Sequence, residues 1–118
     1  MYRADDLLAE AQEALDKLWF LQGLQEVERT DRTISLRLYI RQDIFVQAFL
    51  GEITGSLYLA LVEGGRRIFG IDRESGEWHM HPFESPHDHR PFPEGLDPRP
   101  LLKFLAKVEQ LLLEHDLL

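Results

Sequence analysis

Four of the five histidines in this chain fall within one short stretch, "HMHPFESPHDH", running from His79 to His89. Each pair is spaced His-x-His, and a proline-bearing segment lies between the pairs. Three chemistries fit such a cluster. In the first, His79 and His81, with His87 and His89, offer ring nitrogens to zinc or another first-row divalent metal, and Asp72 or Asp88 adds an oxygen. The spacing and flanks match no named zinc signature. In the second, no metal is needed. RNA cleavage by internal transesterification requires a base for the 2′-hydroxyl, an acid for the leaving 5′-oxygen and cations around the phosphorane. Imidazoles suit both proton transfers near neutral pH, and guanidiniums hold a phosphate by paired hydrogen bonds. The third is structural: solvated histidines at a hairpin tip. Among catalytic schemes the metal-free one ranks first, because a zinc site needs several ligands converging at about 2.0–2.1 Å. It takes His79, His81, Arg37 and Arg41 as the catalytic set, with no metal ligand. Tyr39, Arg67, His87 and His89 then contact substrate.

These residues must be positioned by regular elements. In "EWHMHPF", Trp78 and Met80 alternate with His79 and His81, so a strand here sends the apolar pair to the core and both histidines to the opposite face. Trp78 should be well buried and His79 should not. In "TISLRLYIR" the apolar set Ile34, Leu36, Leu38 and Ile40 alternates with Ser35, Arg37, Tyr39 and Arg41. Such alternation marks a half-buried strand, and its polar set falls on the histidine face. "IFVQAFL", "SLYLALV" and "RRIFGID" read as further strands, joined by turns at "RQD", "GEITG", "EGG" and "RESG". The second and third strands are apolar at both parities, so they are central. The expectation is five strands near 33–40, 44–50, 56–62, 66–72 and 77–83.

Helices flank them. Residues 4–22 place Leu7, Leu8, Ala11, Ala14, Leu15, Leu18 and Trp19 on one arc, with Glu10, Glu13, Asp16 and Lys17 opposite, and Gly23 as the stop. Residues 98–116 carry a stripe of Leu101, Phe104, Leu105, Val108, Leu111 and Leu112, opened by Asp97 as N-cap and Pro98 at the first helical position. His115 falls in the last turn and is assigned no catalytic role. The fold class is therefore α+β, a single domain over residues 1–118: a five-stranded antiparallel meander with the N-terminal and C-terminal helices packed on one face. "ESPHDHRPFPEGL" is a loop able to fold back and deliver His87 and His89.

Composition narrows the partners. The net charge is −8 over 118 residues, which argues against broad DNA binding or attraction to an acidic membrane. Between residues 31 and 75 every cation is an arginine (Arg32, Arg37, Arg41, Arg66, Arg67 and Arg73), so only there could a phosphate meet several guanidiniums. The longest apolar run, Leu57 to Val62, is far short of the ~20 residues of a membrane span, and "MYRADDLLAEAQ" has no apolar signal region. The absence of cysteine leaves no disulfide framework and fits a reducing cytoplasm. No nucleotide-binding glycine motif and no serine-nucleophile elbow is present.

From Arg66 onward the chain resembles the TumE family, toxins of prokaryotic type II toxin–antitoxin pairs. The resemblance rests on the aromatic-x-x-Asp strand end from Phe69 to Asp72, on His79 and His81, on Pro86, His87 and His89, and on the Leu-rich final helix. It covers about the last fifty residues. The chain departs from the family pattern in lacking an Asp-Asn step after the aromatic strand, and in reading "PHDH" where a denser Pro-His-His cluster is expected. The resemblance implies a small cytoplasmic prokaryotic toxin whose partner is a cognate DNA-binding antitoxin; it favours the acid–base reading, a metal-independent ribonuclease, and makes RNA the first substrate to test. The alternatives are a non-catalytic protein-binding module and a His-ligated metal-binding domain. A toxin should impair growth when expressed without its neighbouring gene; an adaptor should not.

Overall fold

Alternation in the central strands sets the architecture. A computed structural model describing residues 1–118 places helix α1 at Ala4–Lys17, then strands β1 (Gly23–Arg29), β2 (Thr33–Arg41), β3 (Ile44–Gly51), β4 (Ser56–Glu63), β5 (Arg66–Glu74), β6 (Glu77–His81) and β7 (Arg90–Pro91), and helix α2 at Pro100–Glu114. The strands form one antiparallel sheet in sequence order, β1 to β7. A meander of this kind needs only short turns, and every neighbour in space is a neighbour in sequence.

The α+β class and the antiparallel sheet are as the sequence indicates, but the sheet has seven strands rather than five. The two extra strands lie at the edges. β1, "GLQEVER", is exposed over most of its length, so no buried face imposes a readable alternation on it. Gly23, expected to end a helix, instead opens this strand. β7 is only two residues long and exists because the loop after β6 folds back to pair His79 with Pro91 and Met80 with Arg90.

On β2, Ile34, Leu36, Leu38 and Ile40 are buried, as are Ile44, Val46, Ala48 and Leu50 of β3, Leu57, Leu59 and Leu61 of β4, and Phe69 and Ile71 of β5. The intervening side chains are half-buried or exposed, as period-two geometry requires. Buried residues of α1 (Leu7, Ala11, Ala14) and of α2 (Leu101, Phe104, Leu105, Val108) join this single apolar cluster. The Phe104 ring stacks on Phe69 at 5.4 Å, fixing α2 against the core side of β5.

Both helices differ in detail from expectation. α1 stops at Lys17 rather than near residue 22. Phe20 and Leu21 then plug the core from the turn that follows, closed by the Leu21 amide on the Leu18 carbonyl, whereas Trp19 is 62% exposed and donates its indole N–H to Glu109 at 2.6 Å. The start of α1 is capped twice: Asp6 accepts from the Arg3 amide and Glu52 from the Ala4 amide, both at 2.8 Å. α2 begins at Pro100 with Arg99 as N-cap, so the second proline of "DPRP", not Pro98, takes the first helical position. Glu10, assigned by periodicity to the solvent face, is only 5% exposed. It accepts hydrogen bonds from the Tyr2 hydroxyl at 2.5 Å and from the Leu102 amide at 2.6 Å, and so tethers α1 to the first turn of α2.

Candidate functional site

The register of β5 and β6 places the histidines. Asp72 lies opposite His79, Ile71 opposite Met80 and Gly70 opposite His81. Because Ile71 is in the core, Gly70, Asp72, His79 and His81 project from the other face, away from Phe104. Asp72 and His81 are diagonal neighbours across the strand pair, close enough for their side chains to meet. The His81 Nε2 atom lies 3.0 Å from Asp72 Oδ2, and both side chains are nearly nine-tenths buried. On its other side, His81 Nδ1 donates to the Asp88 carbonyl at 3.0 Å.

The loop supplies the third member. Backbone hydrogen bonds from Ser85 to Pro82 and from Asp88 to Ser85 turn the chain back. Pairing of Pro91 with His79 and of Arg90 with Met80 then carries His89 alongside β6. Its ring lies 4.1 Å from that of His79 and 5.0 Å from that of His81, centroid to centroid. One ligating atom each from Asp72, His81 and His89 fall within 4.8 Å of one another. Arg90 pairs with Asp88 and Glu84 and fastens the loop; the hydrogen bond from Arg90 holds the Asp88 carboxyl below its usual carboxylate range.

Gly70 makes room for this cluster. A Cβ there would sit 3.2 Å from Arg67 Cδ, 3.2 Å from the Leu59 carbonyl oxygen and 3.6 Å from His81 Cδ2. The Arg67 stem therefore lies over Gly70 beside His81, and its guanidinium donates to the Pro86 carbonyl at 3.2 Å. Sequence reading did not single out Gly70, although glycine inside a strand commonly marks such a close approach.

The residues expected to act together are thus divided. His79, His81, His89 and Arg67 converge, with Asp72. Arg37 shares the row of His81, through Gln47, Ala60 and Gly70. Four strand spacings separate the two, however, about 19 Å at ~4.8 Å per spacing, so Arg37 does not reach the histidines. Instead it donates to Gln47 at 2.9 Å and lies over the Phe45 ring. Arg41 is paired with Asp43 and Glu63 at the far end of β2, and Tyr39 donates to Gln25. His87 is exposed and lies outside the cluster. His79 is half-buried rather than open, because β7 and His89 cover it, and Trp78, expected to be well buried, is only half-buried.

Chemically, His81 has both ring nitrogens engaged by acceptors, whereas His89 is exposed and reachable. Two wholly buried side-chain atoms of the cluster, Asp72 Oδ1 and His79 Nδ1, have no hydrogen-bond partner, which is unusual for buried polar atoms. Comparison of the chain with protein-family models, with curated proteins and with solved structures finds no match among any of them. No helix is long and apolar enough to cross a membrane.

Proposed function

We propose that the Asp72–His81–His89 cluster, with Arg67 beside it, is an acid–base centre acting on the phosphodiester backbone of RNA without a metal, in a toxin of the type the sequence resembles. The observation that carries this reading is the packing of His89 against both His79 and His81 at one end of the outer sheet face. In this scheme His89 exchanges protons with the substrate, supported by the His81 ring stacked on it and the His79 ring tilted against it. His81, held between Asp72 and the Asp88 carbonyl, is a positioning residue. Arg67, with its guanidinium at the rim of the loop, binds the phosphate. Arg37, Arg41 and Tyr39 would contact only more distant parts of an extended strand. The reading carries with it a cytoplasmic, prokaryotic setting and a DNA-binding antitoxin as partner.

The test combines purified chain, a single-stranded RNA oligonucleotide and EDTA. Cleavage leaving a 2′,3′-cyclic phosphate is expected, falling about 10²-fold or more in His89→Ala, as for loss of a general acid–base group, and in Arg67→Ala. Expression without the neighbouring gene should arrest growth. Neither cleavage nor arrest would reject the reading. A second reading, a non-catalytic protein-binding module, draws on the aromatic pairs Tyr39–Phe45 and Phe49–Tyr58 on the same outer face; it expects normal growth in that experiment.

A further inference from the structure

From the same cluster we infer that Asp72, His81 and His89 form a binding site for a first-row divalent metal ion, and that occupancy switches the acid–base centre off. The binding half rests on geometry alone; the switching half rests on the reading of the cluster given above.

The hydrogen bond from His81 Nδ1 to the Asp88 carbonyl turns the lone pair of Nε2 toward Asp72. That lone pair then faces a carboxylate oxygen at 3.0 Å. Two electron-rich atoms at such a distance need a cation between or beside them, either a proton or a metal ion. A ring N–H held by a backbone carbonyl is the usual means of orienting a metal-bound imidazole. His89 brings a third donor, with all three ligating atoms inside 4.8 Å. Ligands about 2.0–2.2 Å from zinc lie roughly 3.3 Å apart in a tetrahedron. The Asp72–His81 pair is therefore already at ligand spacing, and only the exposed His89 side chain has to close in. The unpartnered Asp72 Oδ1 gives the carboxylate a second oxygen for the ion.

Two imidazoles and one carboxylate suit zinc, iron(II), cobalt(II) or manganese(II) rather than calcium or magnesium, which prefer all-oxygen shells. Three protein ligands also leave coordination positions open. An ion held here takes the lone pairs of His81 and His89, so His89 can no longer accept a proton. The metal-loaded and the acid–base forms exclude each other.

The experiment titrates the full-length, EDTA-treated chain with Co²⁺, read by its visible absorption, and with Zn²⁺, read by calorimetry. One ion per chain is expected. Affinity should fall at least tenfold in Asp72→Asn and in His89→Ala, while His87→Ala and His115→Ala stay within twofold of the parent. Circular dichroism checks the fold; His89 is exposed, so its variant guards against loss of binding through misfolding. Absence of stoichiometric binding, or binding that survives both Asp72→Asn and His89→Ala, would overturn the site. With RNA present, one equivalent of Zn²⁺ should suppress cleavage at least tenfold and EDTA should restore it. Zinc-stimulated cleavage, or a bound ion that leaves an active chain unaffected, would overturn the switch. Because binding is read without RNA, a chain that holds the ion but never cleaves RNA would confirm the site and reject the acid–base reading together with the switch that rests on it.

Discussion

Replacing Glu10 with alanine tests the contact that joins the two helices. Glu10 is 5% exposed and accepts from Tyr2 and from the Leu102 amide, one of the free N–H groups in the first turn of α2. Truncation leaves that amide without an acceptor. A buried donor left unpaired costs about 1–3 kcal/mol, and loss of a carboxyl at a helix N-terminus adds ~0.3–1 kcal/mol. The Tyr2 hydroxyl can turn toward water, so its share is small. Relief from burying the carboxylate offsets part of the loss, while the deleted stem removes packing. The net expectation is about 2–4 kcal/mol, or roughly 8–16 °C in melting temperature for a domain of this size. Urea denaturation followed by circular dichroism should show a lower midpoint with an unchanged slope. Glu13→Ala, one turn nearer solvent and paired only with Lys17 and Arg99, is the control and should shift the midpoint far less. A Glu10→Ala midpoint equal to that of the control would show that the buried tie contributes nothing.

Other perturbations follow from the same structure. Gly95 has φ +61°, and a Cβ there would lie 2.6 Å from two atoms of the Trp78 ring; Gly95→Ala should cost about 2–5 kcal/mol from backbone strain and overpacking and alter tryptophan fluorescence, and a neutral result would contradict the packing. Burial, and then its hydrogen bond to Glu10, raises the Tyr2 phenol well above its ordinary value of 10.0. The folded chain therefore keeps a proton that the unfolded chain releases, and this stabilisation is complete below about pH 10 and lost as pH rises beyond it. Tyr2→Phe should flatten that alkaline loss in a stability–pH profile; an unchanged slope would count against it. Leu38→Ala and Leu105→Ala, both at fully buried positions, should each cost about 2–5 kcal/mol in the same denaturation assay, and values within error of the parent would mean the core is misassigned.

The strongly alternating strands could be read directly because a sheet buried on one face forces apolar side chains onto every second residue. Ile34 to Ile40 shows this plainly, and Trp78 to His81 assigns both histidines to the outer face. Edge strands carry no such imprint: β1 is exposed from Gln25 to Arg29, and β7 is a two-residue product of loop closure. Helix periodicity located α1 and α2 but misplaced Glu10, since a polar residue on the solvent arc becomes buried once a second helix offers it an amide.

By itself the sequence determined the α+β class, the antiparallel meander, the apolar face and the face on which His79 and His81 stand. It also brought Arg67, Asp72 and His89 within the candidate set. What only the tertiary structure decided is which of these meet. Alternation fixes the side of a sheet but says nothing about distance across it, which depends on strand order and register. Arg37 and His81 share a row and are kept apart by the strands between them. Asp72 and His81 touch because β5 pairs with β6 in a register that makes them diagonal neighbours. His89 joins them because backbone pairing at β7 returns the loop to the same strand, and Gly70 leaves space for the Arg67 stem beside them.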